Sequence, residues 1–374
     1  MRVRYAFRNL LISRGRFVIA LFGISLAAFL MAMQGSLLYG FTLASSVLVD
    51  SLDADIWIVP RGSAALEYAT HFDERTGWLA HGVPGVVATG RGLTGQIQVQ
   101  KQSGDRFAVF VVGVDRDFRG RTPDARANLT PPATFINVAA VNDTDLAALG
   151  ITSLPATVEV AGLRVDITML TSGFSSFLGS PMLFSDFGFA RRVLAGNKPV
   201  ANFVLVKVAP EYSATAVRDA LRERFSKNDV LTKAEFSFRC RYYWLAQTGV
   251  GGALVLATLL GFLIGVSVVA QTIYSQTSER VEEYATLKAM GASNWYVISI
   301  VLCQALFCGA VGVVVGLGFA ELFVSMAKGT IGWIQFPGWL KAMVVAAVAL
   351  LCVIAAFVGA RPATAVEPAR VFRA

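Results

Sequence analysis

The chain is short of charge and of the residues that do chemistry. Asp, Glu, Lys and Arg make up 16% of its 374 residues, against roughly 25% in soluble domains. The shortage comes in blocks. No charge falls within Phe17–Val49, between Arg241 and Glu279, between Lys288 and Glu321, or within Ala342–Ala360. Each block is on the scale of the roughly 20 apolar residues that cross a bilayer, so a purely soluble class is excluded. Histidine occurs only at His71 and His81. With Asp73 and Glu74 nearby a metal or acid–base role is conceivable, but the pattern is that of an ordinary polar surface loop. No G-x-S-x-G, H-E-x-x-H or nucleophile-plus-base spacing occurs, and Ser172, Ser175 and Ser176 carry no triad signal. The cysteines are Cys240, Cys303, Cys308 and Cys352. Three lie in apolar runs, which leaves no disulfide framework and no Cys/His metal spacing. There is no G-x-x-x-x-G-K-[ST] loop and no Gly-Lys dipeptide. The chain therefore lacks the Walker means of holding ATP, and any hydrolysis belongs to a separate polypeptide.

What is present is a membrane protein's pattern. Hydrophobic residues reach 55% and mean hydropathy is +0.58. The net charge of +8 is no sign of nucleic-acid binding, because Lys and Arg are not gathered in one basic domain. Arg2, Arg4, Arg8, Arg14 and Arg16 open the chain. The run behind them is too long for the roughly 7–15-residue core of a signal peptide and ends in no clear cleavage site. An uncleaved span at 17–41 with the N-terminus in the cytoplasm is expected from the positive-inside rule. Gln34 within it suits a helix–helix hydrogen bond.

Residues 42–243 then change character, with Pro, Gly and charge returning. This is enough chain for one domain with its own core, and one crossing places it outside the cytoplasm. Strands are predicted at 56–60, 95–101, 106–115, 157–171 and 202–209, with a turn or bend at Gly162. A helix is predicted at 212–225 from Val217, Leu221 and Phe225, and a short strand at 229–231. Spans follow at 244–273, 295–324 and 341–360, separated by a loop at 274–294 and an outer loop at 325–340. Trp333, Phe336 and Trp339 in that outer loop form an interfacial belt. Glu321 falls late enough in the third span to be solvated at the interface. The tail 361–374 returns inside. The fold class is thus an α-helical membrane protein with four transmembrane helices and an α/β extracytoplasmic domain inserted between the first and second.

Two features of the spans concern contact. Gly249, Ala253, Ala257, Gly261 and Gly265 recur every four residues, and Gly312 and Gly316 repeat the spacing. Such columns let two backbones approach closely, either inside one subunit or at a seam between two. The other feature is the polar stretch from Ser275 to Asn294. Ser278 suits an N-cap, with Glu279, Glu282 and Glu283 in the first turns. Lys288 lies near the far end and Gly291 at the C′ position. Val281, Tyr284 and Leu287 make one apolar stripe. On pattern alone this is either an interfacial helix lying on lipid or a surface another protein pushes against.

The run Glu279-Arg280-Val281-Glu282-Glu283-Tyr284-Ala285-Thr286-Leu287-Lys288-Ala289-Met290-Gly291-Ala292-Ser293 resembles the signature of ABC-transporter permeases of the MacB/FtsX/LolC superfamily. Continued through Asn294, Trp295 and Tyr296 it is most like the DevC type. The opening A-F-R-N-L-x-x-S-R-G-R is similar to the cytoplasmic elbow of these permeases, here 1–16, and R-P-A-T-A-V-E-P-A-R-V-F-R to their ending. The resemblance implies that the central helix docks on an ABC ATPase subunit through Glu279, Arg280, Glu282, Glu283, Tyr284, Leu287, Lys288 and Gly291. It implies a non-enzymatic permease subunit, a homodimer in a bacterial inner membrane with both termini cytoplasmic, and no cofactor in this chain, with ATP and Mg on the partner ATPase. For the DevC type it adds a periplasmic adapter, an outer-membrane channel and export of a lipid or other hydrophobic compound. FtsX-like relatives imply instead a regulator of a cell-wall hydrolase. A membrane sensor without an ATPase is the third reading.

Overall fold

The computed structural model describes residues 14–100, 106–118, 138–171, 173–174, 176–329 and 331–365. Most of the elbow expected at 1–16, the tail beyond 365 and Ser172 and Ser175 lie outside them. The chain divides into two compact units.

Helix α1 (Arg14–Ala44) leads through the short α2 (Val47–Ser51) into the inserted domain. There the chain forms β1 (Ile56–Pro60), α3 (Thr76–His81), β2 (Val86–Gln100), β3 (Arg106–Val114), β4 (Val138–Asn142), β5 (Ala156–Val160), β6 (Leu163–Thr171), β7 (Met182–Asp186), α4 (Phe187–Ala195), β8 (Phe203–Val208), α5 (Ala214–Arg224), β9 (Asn228–Thr232) and α6 (Lys233–Tyr242). One nine-stranded sheet runs β9-β1-β8-β2-β3-β7-β4-β6-β5. It curls until β2 meets β5 at the single pair Val99↔Val160. The β5–β6 hairpin turns on Ala161 (φ 52°) and Gly162 (φ 77°), the two left-handed positions that a tight hairpin needs.

β1 reads as an unbroken apolar run because both faces are covered. Ile56 and Ile58 face Val204, Val206, Val217 and Leu221. Trp57 and Val59 face Phe203, Leu205 and Phe236. Trp57 is fully buried, its ring tilted against those of Phe203 at 5.1 Å and Phe236 at 5.3 Å. β9 lies at the end of the sheet order. The backbone N–H of Lys233 donates to Asp55, so Val230, opposite Ile58, falls in the register that turns its own N–H and C=O outward. There the Val230 carbonyl accepts from Arg222 Nε at 2.8 Å.

α6 begins with a capping box. Thr232 Oγ1 accepts from the Glu235 N–H, and Glu235 accepts from the Thr232 N–H. Ion pairs tie this helix to three elements: Glu235 to Arg218 of α5, Arg239 to Asp229 of β9 at 2.5 Å, and Arg241 to Asp50 of α2 at 2.7 Å. It then passes into a π-turn, Tyr243–Gln247.

The second unit holds α7 (Val250–Glu279), α8 (Val281–Ala289), α9 (Asn294–Ala327), α10 (Gly338–Gly359) and α11 (Arg361–Ala365), with α1 packed among them. α1, α7, α9 and the chain from Gly338 to Ala365 are long and apolar enough to cross a membrane. Small residues bring them together. A Cβ on Gly265 would lie 2.5 Å from the Ala27 Cβ, one on Gly312 2.6 Å from Ile24, and one on Gly316 2.5 Å from the Ser25 carbonyl. Gly261 is looser, at 3.4 Å from Leu30. These four glycines pack against α1 within the chain. Gly249 corrects the expected column: it precedes α7 with φ +77°, the π-turn having ended the preceding helix. Higher on α7, Ala253 is exposed and Ala257 half-buried. α7 is the least covered of the four long helices.

Glu321 makes an ion pair with Lys341, whose ammonium also lies 5.2 Å from the centre of the Phe336 ring. Trp339 and Tyr39 meet edge to face at 5.0 Å.

Candidate coupling surface

α8 is smaller than the polar stretch that contains it. α7 continues through Ser278 to Glu279, so Ser278 is helix interior and not the N-cap. Nothing between Ala270 and Glu279 breaks a helix, and serine costs little there. The break comes at Arg280 (φ −107°, ψ 21°), which caps α8 with no side-chain hydrogen bond. Glu282 and Glu283 occupy the first turn of α8, where the helix dipole favours negative charge. Arg280 reaches Glu283 at 3.7 Å.

The far end is a Schellman closure. The Gly291 N–H donates to Lys288 at 3.0 Å and the Ala292 N–H to Leu287 at 3.0 Å. Gly291 carries φ +94°, which only glycine adopts freely. The next helix starts at Asn294, so this turn fixes the angle between α8 and α9.

The apolar stripe faces inward. Tyr284 is buried among Val297, Ala360 and Ala363, with Leu287 packed at the edge of the same cluster. Lys288 Nζ donates to the Thr364 carbonyl at 2.9 Å, tying α8 to α11. Glu279, Glu282, Glu283, Thr286, Ala289 and Met290 are left on the exposed side. Met290 is 72% exposed and Trp295, just beyond the turn, 71%. The expected docking residues thus divide. Glu279, Glu282 and Glu283 are exposed, Arg280 is half-buried, and Tyr284, Leu287, Lys288 and Gly291 hold the helix in place. Met290 and Trp295 were not among the expected contacts; a large apolar residue directly before and shortly after the left-handed glycine was the available signal.

The exposed side presents three carboxylates, a thioether and an indole. Among the described residues no group of His, Cys, Asp and Glu is placed to hold a metal ion. In the inserted domain His71 and His81 are exposed. Glu74 is taken up by Arg191 at 3.0 Å and Arg91 at 3.7 Å. Burial pushes the Cys240 thiol up to about 12, with the neighbouring Glu67 charge adding to the effect, so it is an inert core residue.

Residues 233–368 match the family described as FtsX-like permease C-terminal. An uncharacterized ABC transporter permease of Methanocaldococcus jannaschii is 27% identical over 165 residues, which is 40% of this chain and 39% of that protein. The match thus spans well under half of that relative. Among solved structures, the periplasmic region of MacB from Actinobacillus actinomycetemcomitans aligns at 10% identity and a TM-score of 0.37, over 49% of this chain and 90% of that one. The extracellular domain of YknZ from Gram-positive bacteria aligns at 11% identity and a TM-score of 0.35, over 48% and 98%.

Proposed function

We propose that the chain is the permease subunit of an ATP-driven ABC exporter that works by transmitting force, a reading supported by the match of residues 233–368 to the family described as FtsX-like permease C-terminal. The observation that supports this reading is the mounting of α8. It is closed at Gly291, tied to α11 through Lys288 and Thr364, and joined to α7 and α9 with almost no slack. A push on its exposed acidic side is passed to two long helices rather than absorbed by a loose loop. α7 in turn is continuous in sequence with α6, which three ion pairs hold to the body of the inserted domain.

In this reading an ABC ATPase subunit binds ATP and Mg and closes against α8, and both termini and α8 are cytoplasmic. The inserted domain lies outside the inner membrane and moves with the ATPase cycle. A homodimer, a periplasmic adapter, an outer-membrane channel and a lipid or other hydrophobic cargo complete the proposal.

The test is ATPase capture and stimulated turnover in reconstituted membranes at equal permease content. Glu282→Lys with Glu283→Lys reverses the exposed charge. It also places cations near a helix N-terminus, which costs about 0.3–1 kcal/mol per group. Glu282→Gln with Glu283→Gln separates the effects, since it removes the exposed charge without placing a cation at the helix N-terminus. Both variants are expected to lose ATPase binding or to uncouple hydrolysis. Full binding and stimulation in both would reduce α8 to an interfacial helix.

A further inference from the structure

The inserted domain carries a half-enclosed cleft of about 260 Å³ between α3 and the turn that follows β3. One wall is Trp78, whose side chain is 72% exposed. An indole left this open on a six-residue helix adds little to the core. The floor is the buried Phe118 ring, which seats over Gly90; a Cβ there would lie 2.3 Å from the ring.

The opposite wall is polar and stiff. Arg91 donates to Asp115 through its backbone N–H at 2.7 Å, through Nε at 2.9 Å and through Nη2 at 3.1 Å. Its guanidinium also lies 4.5 Å from the centre of the Phe187 ring. This held pair backs the cleft, while Thr89, Arg116 and Asp117 line the remainder. Two arginines and two aspartates leave no net charge. An anion would meet two carboxylates and a cation two guanidinium groups, so neither is favoured. A wholly apolar guest would strip water from charged side chains without replacing its hydrogen bonds. The chemistry that satisfies both walls is a neutral ring with an apolar C–H face and hydroxyls on its rim. Its face lies on the indole and its hydroxyls meet carboxylate, guanidinium and threonine.

We propose that this cleft binds a pyranose ring, with Trp78 as the stacking platform and Thr89, Arg116 and Asp117 as hydrogen-bonding partners. The site concerns recognition outside the coupling surface and does not depend on ATPase docking.

The test uses the full chain in lipid nanodiscs and saturation-transfer NMR with methyl β-D-glucopyranoside and methyl N-acetyl-β-D-glucosaminide, glycerol serving as control. Transfer to the ring protons of at least one glycoside is expected, falling at least fivefold in Trp78→Ala and in Asp117→Asn and largely kept in Trp78→Phe. All of these side chains are exposed, and an unchanged thermal unfolding profile verifies the fold. Loss of the signal on adding a soluble chitooligosaccharide assigns the ring to a glycan. Loss on doping the nanodisc with glucosyl diacylglycerol assigns it to a lipid headgroup; both outcomes support the site. Transfer no greater than that to glycerol, or transfer unchanged in Trp78→Ala, overturns it.

Discussion

Trp244 Nε1 donates a hydrogen bond of 3.3 Å to a carboxylate oxygen of Glu67. The two come from distant parts of the chain, Glu67 from the single turn Leu66–Tyr68 and Trp244 from the π-turn that follows α6. Rings surround them. Trp244 lies 4.7 Å from Phe177, 5.4 Å from Tyr243 and 5.8 Å from Tyr68. Phe177 belongs to the Gly-, Ser- and Phe-rich loop after β6, which thus serves as a wall of this aromatic cluster.

Burial pushes the Glu67 carboxyl above its ordinary value, and the Trp244 hydrogen bond only partly offsets this. The folded state therefore holds the proton more tightly than the unfolded chain. By linkage, stability falls as pH rises from the ordinary glutamate value of 4.5 through the raised one. Glu67→Gln keeps an acceptor for Trp244 and carries no charge. It is expected to flatten this part of the pH profile and to stabilise the chain at neutral pH relative to wild type. Thermal unfolding of both proteins between pH 4 and 8 is the check; parallel profiles would show that Glu67 does not control this window.

Gly265→Leu drives a side chain into α1 where even a Cβ would come within 2.5 Å of Ala27. Overpacking of this kind costs on the order of 1–3 kcal/mol. Ala253→Leu, on the exposed part of the same helix, serves as the comparison and is expected to leave detergent-resistant folding unchanged. Equal unfolding midpoints for the two variants would contradict the packing of α7 on α1.

Gly291→Val tests the closure of α8. A β-branched residue at φ +94° is strongly disfavoured, and strain of this sort costs on the order of 1–3 kcal/mol. The expected result is a local one: faster hydrogen exchange at the Gly291 and Ala292 amides, with the inserted domain unaffected. Unchanged protection at both amides would mean that the Schellman bonds contribute little.

Topology has its own test. Glu211→Cys, exposed in the inserted domain, is expected to react with an impermeant thiol reagent in intact spheroplasts, and Ser278→Cys only after lysis. Cys240, Cys308 and Cys352 are buried and Cys303, within α9, is half-buried, so labelling is read against the parent chain. Equal labelling of both sites before lysis would contradict the proposed topology, which places them on opposite sides of the membrane.

The long uncharged runs made the four membrane helices legible, since little else satisfies such segments. β1, β3, β8 and the Gly162 hairpin were legible for a similar reason, an apolar run or a glycine with one structural use. The first half of β2 was not. Gly90 and Gly92 there look like loop, yet Gly92 is small because the Phe203 ring would stand 1.9 Å from its Cβ. That pressure comes from another strand and is invisible locally. β4 and β7 were missed because their partners are distant in sequence, and α4 despite a local signal, the Asp186 cap that accepts from the Phe189 N–H at 2.8 Å. α6 was missed despite a local signal, the Thr232–Glu235 capping box. In the coupling stretch the apolar stripe and Gly291 were legible, while the start of α8 was not, because Ser278 suits a cap and a helix interior almost equally well.

The bond between Arg222 and the Val230 carbonyl has a consequence for copies of this domain crowded beside one another. An outward-facing strand rim is a template on which another chain adds, strand upon strand. Here the outward carbonyl of Val230 is taken by a guanidinium, and the outward N–H of Thr232 by the Glu235 carboxylate at 2.8 Å. A would-be strand finds one acceptor and one donor of this rim already answered by side chains. Crowding of these molecules in the membrane therefore has two fewer rungs from which strand-on-strand growth could start at this rim.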